Sequence, residues 1–198
     1  LASGGTYAST SFAINERLSI TASVTETSDD HSYIDPITAQ RVYEDNGITE
    51  FAASAANVSM SYAMTDTVRI SMDYTQLQER DSLLGGQGSG VFSLEGGAVT
   101  DAVTFASDFA LPANFSLALS ATMGETRATG FADGPLRLSD EGVTSSAFAI
   151  GLRRDGLLSD TDIVRVTLAQ PLRVESGSFE YSALEVIDRE TGELGIVT

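Results

Sequence analysis

Val58-Ser59-Met60-Ser61-Tyr62-Ala63-Met64-Thr65-Asp66-Thr67-Val68-Arg69-Ile70-Ser71-Met72-Asp73-Tyr74 alternates twice. In an extended chain Val58, Met60, Tyr62 and Met64 share one face, and Ser59, Ser61 and Ala63 share the other. Beyond Thr65-Asp66 the pattern restarts, with Val68, Ile70, Met72 and Tyr74 against Arg69, Ser71 and Asp73. A period of two is a strand signal. The stretch therefore reads as strand, tight turn, strand.

The same reading fits three other places. Phe12-Ala13-Ile14 leads into Leu18-Ser19-Ile20-Thr21-Ala22, and Phe109-Ala110-Leu111 into Phe115-Ser116-Leu117-Ala118-Leu119. Phe148-Ala149-Ile150 reaches Val164-Arg165-Val166-Thr167-Leu168 through a longer turn. Asn15-Glu16, Thr65-Asp66, Pro112-Ala113 and Asp155-Gly156 supply the turn chemistry. The spacing predicts strands over 6–14, 17–27, 52–65, 67–78, 99–111, 114–126, 144–154, 161–173 and 177–187, with a tenth beginning near 193. Between hairpins lie long connections with Ser28-Asp29-Asp30, Glu44-Asp45-Asn46-Gly47, Gly85 to Gly90 and Ala132-Asp133-Gly134-Pro135.

Short turns at one end and long loops at the other, with strands of about ten residues, are the pattern of a sheet that crosses a membrane. The fold class expected is all-β, an antiparallel up-and-down meander of about eight to ten strands in one domain, 1–198. It forms a β-barrel, complete or incomplete, with a β-sandwich or open sheet as the alternative. Both forms alternate apolar and polar faces. The size of the polar residues favours the barrel. Solvated faces carry long charged side chains, whereas Ser, Thr and Ala suit a concave interior. Phe12, Tyr62, Phe109 and Phe148 are expected at the short-turn ends, as part of an interfacial girdle.

Composition narrows the function. The 198 residues hold no Cys and no Trp, and all eleven basic residues are Arg. Without Cys there is no disulfide framework and no thiol nucleophile. A net charge of −17 argues against nucleic acid as a partner. No run of about 18 apolar residues offers a transmembrane helix. The opening Leu1-Ala2-Ser3-Gly4-Gly5 lacks a signal-peptide pattern and reads as the inside of a longer secreted chain.

No catalytic constellation emerges. His31, the only histidine, lies among Asp29, Asp30 and Ser32, but triad members meet from separate elements. Gly85 to Gly90 lacks the Lys-Ser/Thr pair of a phosphate loop, and Ser89 lacks the nucleophile-elbow spacing. Asp29, Asp30, Glu44, Asp45, Asp160 and Asp162 offer the carboxylate oxygens that Ca²⁺ takes. None matches a known Ca²⁺ loop pattern, and solvated charge is the plainer reading. Arg69, Arg153, Arg165 and Asp73 fall on polar strand faces, where a barrel would let them pair across its lumen. No catalytic, cofactor-binding or metal-ligating residue is assigned.

One stretch carries a resemblance. Ala147-Phe148-Ala149-Ile150-Gly151-Leu152-Arg153-Arg154-Asp155-Gly156 is followed by Val164-Arg165-Val166-Thr167-Leu168-Ala169-Gln170-Pro171-Leu172-Arg173-Val174 and a Gly turn at Gly177. This resembles the C-terminal autotransporter-like region of subtilisin-like (S8 family) serine peptidases of proteobacteria, over roughly 50–198 and most closely over 144–177. The resemblance implies an outer-membrane translocator or anchor, with the peptidase as an upstream passenger. The chain has neither Gly-Thr-Ser-Met-Ala nor a His-Gly motif, so no catalytic residue carries over. The family's barrel has more strands and ends on an aromatic residue, where this chain ends on Thr198.

The first functional reading is therefore a non-enzymatic translocator or anchor at the outer membrane, with lipid as its partner. The second is an extracellular or cell-surface β domain that assembles with itself or another chain through its sheet edges.

Overall fold

The computed structural model describes residues 5–28, 32–34, 41–43, 52–80, 82–84, 97–129, 136–159 and 161–197. Its strands are β1 Gly5–Ala13, β2 Leu18–Ser28, β3 Ser32–Ile34, β4 Arg41–Tyr43, β5 Ala52–Ala63 and β6 Val68–Arg80. They continue as β7 Ala98–Leu111, β8 Phe115–Ala128, β9 Leu136–Asp155, β10 Ile163–Tyr181, β11 Ala183–Asp188 and β12 Glu193–Val197. Eight of them form one antiparallel sheet in the order β1-β2-β5-β6-β7-β8-β9-β10. The small hairpin β3-β4 branches from the first long connection, and β11-β12 follows the last sheet strand.

The expected meander is the observed one. Among the described residues it does not close: β1 and β10 are its two edges. The β-sandwich alternative falls, because the apolar face of this sheet meets no second sheet among the described residues.

Each tight turn is held by its own local chemistry. Asn15 Oδ1 accepts from the backbone N–H of Arg17 at 2.8 Å and of Leu18 at 2.9 Å. Thr65 Oγ1 accepts from the Thr67 N–H at 3.2 Å. At Pro112-Ala113-Asn114 both Ala113 and Asn114 have φ of 59°, the double left-handed geometry of hairpin turns. The fourth turn opens on Gly156, at φ 69°, and closes on Asp162. The Asp162 carboxylate accepts from the Leu158 and Ser159 N–H groups at 3.0 Å each.

Two boundaries differ from the sequence reading. β9 begins at Leu136 rather than near 144, and β10 runs through 174–177 without turning. Ser139-Asp140-Glu141-Gly142 and Glu175-Ser176-Gly177 look like loops because they are polar and contain glycine. Ser176 and Gly177 pair with Thr144 and Val143, whereas Glu175 and residues 139–142 are left unpaired where the register shifts at Val174/Ser176 and Gly177/Phe179, after an earlier shift at Gln170/Arg173. Bulges of this kind absorb Pro171, which has no N–H to give a ladder, and Gly177. The stretch predicted as one strand at 177–187 is thus the end of β10 plus β11, and the tenth strand is β12.

The buried residues sit at the long-loop end. Ala98, Leu138 and Val143 are the buried apolar side chains among the described residues, with Glu79, Ser82, Thr100, Thr126, Ser139 and Ser145 around them. Glu79 accepts from the Leu84 N–H at 2.8 Å, so the start of the β6–β7 connection folds back over the sheet. Gly97, at φ 78°, lies so close that an added Cβ would stand 2.2 Å from the Glu79 carbonyl. A soluble domain of this length would bury most of its large apolar side chains. This sheet buries almost none.

Candidate functional site

The surface that asks for a function is the outer face of the sheet. Antiparallel partners share a face, so the register gives continuous rows. Phe12-Ile20-Met60-Met72-Phe105-Ala121-Phe148 is one row and Leu18-Tyr62-Ile70-Ser107-Leu119-Ile150-Leu168 the next. Val68-Phe109-Leu117-Leu152-Val166 follows towards the tight turns. Many of these apolar residues are exposed: Phe12 is 59% exposed, Met60 41% and Phe105 59%, while Phe109, Leu117 and Leu119 are half-buried.

The opposite face is small and polar, and less exposed despite its polarity. One of its rows is Ala13-Ser19-Ser61-Ser71-Ala106-Ser120-Ala149-Ala169, Ala or Ser on all eight strands. Directly opposed hydroxyls bond across strands. Ser11 and Thr21, Thr104 and Thr122, and Thr100 and Thr126 each meet at 2.8 Å. Small side chains inside and large ones outside mean that the sheet curls with its apolar face convex.

The register also fixes the strand tilt. The first hairpin ends at Ala13 opposite Ser19, whose row crosses β9 at Ala149. The β9-β10 hairpin ends at Asp155, six residues further along and six strands away. The tight turns therefore step down by one residue per strand. A step of about 3.3 Å along a strand for each 4.8 Å across the sheet is a tilt of about 35°. This is the tilt of membrane barrels.

The apolar band follows that tilt. Counted from the last pair of its own turn, the outward face becomes polar at Glu26 seven residues after Ser19, at Gln76 seven after Arg69 and at Ser54 nine before Ala63. It does so at Asp101 ten before Leu111, Glu125 ten after Phe115, Ser146 nine before Asp155 and Gln170 seven after Ile163. About eight residues correspond to ~27 Å along a strand, and ~22 Å along the normal of a sheet tilted by ~35°. The apolar belt of a membrane barrel is about 25 Å tall. Ser107 and Thr10 are outward hydroxyls within the band.

Both margins of the band carry amphipathic groups. At the long-loop margin the Tyr74 hydroxyl donates to Asp101 at 2.5 Å and Gln76 Nε2 donates to the same oxygen at 3.1 Å. Arg127 Nε bonds Glu125 at 2.9 Å beside them. The Tyr74 ring stays in the apolar rows while its oxygen joins the polar rim, the arrangement of an interfacial tyrosine. At the tight-turn margin Phe12 and Tyr62 adjoin the last paired residues Ala13 and Ala63, and Phe109 lies two before Leu111. Phe148 does not belong with them, since it lies seven residues inside Asp155. Phe115 takes that level instead, with the Arg154 guanidinium 5.0 Å from its ring centroid. Sequence reading missed Phe115 because it opens its strand after the turn rather than closing the strand before it.

The inner-face charges are only partly partnered. Arg153 Nε bonds Asp155 at 2.7 Å along its own strand rather than across a lumen. Arg69 stands opposite Asp108 in register, and Arg165 opposite Arg153. Asp73 lies opposite Ser59 and Thr104.

Of the acidic residues weighed for Ca²⁺, Asp162 is spent on its turn. The Ser159 and Leu158 N–H groups hold its carboxyl below its ordinary value. Asp29, Asp30, Glu44, Asp45 and Asp160 lie outside the described residues, as do His31 and Gly85 to Gly90. Among the described residues no three His, Cys, Asp or Glu side chains gather as a metal set.

Comparison with protein-family models, with curated proteins and with solved structures finds no match to this chain.

Proposed function

We propose that this chain is a lipid-facing β-sheet of an outer-membrane translocator or anchor, and that the chemistry it contributes is solvation rather than catalysis. The observation that carries the reading is the apolar band on the convex face, whose two margins run level once the independently derived tilt is applied. In water such a face would be a large exposed apolar surface, which soluble monomers avoid. In a bilayer it meets hydrocarbon, while the hydrogen-bonded ladders satisfy the backbone groups that lipid cannot. The sequence resemblance to the autotransporter-like region of subtilisin-like peptidases agrees with this, and makes a secreted peptidase the natural passenger. In that role the sheet anchors or exports the upstream chain.

The test is a pair of neighbouring substitutions in the native full-length product, read by membrane fractionation and detergent extraction. Leu119 is four residues past Phe115, near the middle of the ~22 Å band, and Ser120 faces inward beside it. Leu119→Arg is expected to cost about 2–4 kcal/mol of membrane stability and to remove most of the product from the membrane fraction. Ser120→Arg is expected to leave most of it there. Equal loss from both, or a wild-type product found soluble without detergent, would sink the lipid-facing reading.

A further inference from the structure

One cation stands on the apolar face. Arg154 of β9 pairs in register with Phe115 of β8 on one side and Val164 of β10 on the other, so all three face outward. Leu152 precedes it on its own strand, and Leu117 and Val166 are its diagonal neighbours. On each of the other seven sheet strands the last outward position before the tight turn is uncharged, from Phe12 on β1 to Val164 on β10.

The carboxylates nearest to Arg154 in sequence are spent elsewhere. Asp155 points to the inner face and accepts from Arg153 Nε at 2.7 Å. Asp162 caps its turn through the Leu158 and Ser159 N–H groups. Among the described residues no ion pair includes Arg154. Its Nε is shielded from solvent and has no hydrogen-bond partner. The guanidinium rests instead on the Phe115 ring, 5.0 Å from the centroid. Such a stack holds the fork in one plane but supplies no anion.

A cation set among apolar side chains calls for an anion. The level of Arg154 says where that anion comes from. It lies one residue from Asp155, the last strand residue before the β9-β10 turn, and so at the tight-turn margin of the apolar band. In a bilayer the phosphates of the lipid headgroups lie just outside the hydrocarbon edge, and a guanidinium fork takes a phosphate through two parallel N–H···O bonds. The neighbours select a lipid over a free phosphate. Leu152, Val164 and Val166 lie beside Arg154 on the same face, where the acyl chains of the bound lipid would run. Inorganic phosphate gains nothing from them. At the long-loop margin the acids Glu26, Asp101 and Glu125 would repel a phosphate, and Arg127 beside them is already bonded to Glu125.

We propose that Arg154, seated on Phe115, binds the phosphate of a phospholipid headgroup in the leaflet at the tight-turn end. The inference rests on the membrane reading above. It makes this margin of the sheet a lipid-binding site rather than an apolar edge alone.

The test uses the native full-length product, purified in mild detergent and probed by native mass spectrometry with added phosphatidylglycerol. Arg154→Met and Arg154→Gln remove the fork. The first suits the apolar neighbours and keeps the test intact should the second fail to fold. Arg165 faces inward on β10, opposite Arg153, so Arg165→Gln removes the same charge near the same level from the other face. Wild type and Arg165→Gln are expected to retain phosphatidylglycerol, and the two Arg154 variants several-fold less. A diacylglycerol with the same acyl chains but no phosphate should be held several-fold less by the wild type. Equal retention by wild type and Arg154→Met would overturn the proposal. So would an equal loss in Arg165→Gln, which would make net charge the cause, or diacylglycerol held as well as phosphatidylglycerol. Displacement of the lipid by inorganic phosphate would assign Arg154 to a free anion and overturn the lipid assignment. Fractionation of the same samples reads the membrane assignment separately. Product that stays in the membrane without selecting phosphate at Arg154 removes this site and leaves the membrane reading standing, whereas product soluble without detergent removes both.

Discussion

At the scale of the residue, the informative property is size. Met, Leu, Ile and Phe on one face and Ser, Ala and Thr on the other would alternate in any half-buried sheet. The smallness of the second set says which face is concave, and rows such as Ser61-Ser71-Ala106-Ser120-Ala149 collect on one face that on β5 is the less exposed one. That much was legible from single residues. The partners of Tyr74 and Arg154 were not, because Asp101 and Phe115 become their neighbours only once strands pair. A residue-scale prediction comes from Ala113, which adopts φ 59° although its Cβ disfavours the left-handed region. Ala113→Gly removes that strain and loosens the unfolded chain, and the first effect is the larger. The expected gain is about 0.5–1 kcal/mol, read from urea unfolding of the detergent-folded protein, and a loss would show that the turn departs from this geometry.

At the scale of the element, the four tight hairpins were readable because each turn announces itself locally: Asn15, Thr65, Pro112 and Gly156 all act within a few residues of where they stand. The long strands β9 and β10 were not, because bulges are set by the partner strand and have no signature in one strand alone. Val143 and Ser145 of β9 are buried at the loop end, beside Gly177 of β10 and Gly124 of β8. The β9-β10 turn makes a pH prediction. Backbone N–H groups of Ser159 and Leu158 lower the Asp162 pKa from its ordinary 3.8. A lowered folded-state pKa contributes stability that is complete above the unfolded value and is lost as pH falls through the folded one. The turn is therefore expected to loosen only below pH 3.8, seen as faster amide exchange at Leu158 and Ser159. In Asp162→Asn the same amides should exchange fast at neutral pH already, and unchanged exchange would remove the carboxylate from the role of turn cap.

At the scale of the whole molecule, the tilt and the apolar band are two independent readings of one geometry. The tilt comes from where the turns fall in the hydrogen-bond register, and the band from which side chains are polar. Neither uses the other, yet the band is level only in the tilted frame. No single strand contains this relation, so the sequence pattern could suggest a membrane sheet without giving its height. On the lipid-facing reading proposed above, the height yields a prediction. A band of ~22 Å is shorter than the ~30 Å hydrocarbon core of a typical bilayer, and mismatch costs fractions of a kcal/mol per Å. Over a gap of about 8 Å this comes to a few kcal/mol. Folding from urea into vesicles of short-chain phosphatidylcholine, with twelve-carbon acyl chains, should then proceed to higher yield than into vesicles with eighteen-carbon chains. The readout is protection of the strands from added protease. Leu119→Arg should abolish the protection in both lipids, because its charge sits mid-band whatever the thickness. Equal wild-type yields in the two lipids would mean that the polar rim of Asp101, Gln76 and Glu125 does not mark a hydrocarbon boundary, and that the apolar face meets protein instead of lipid.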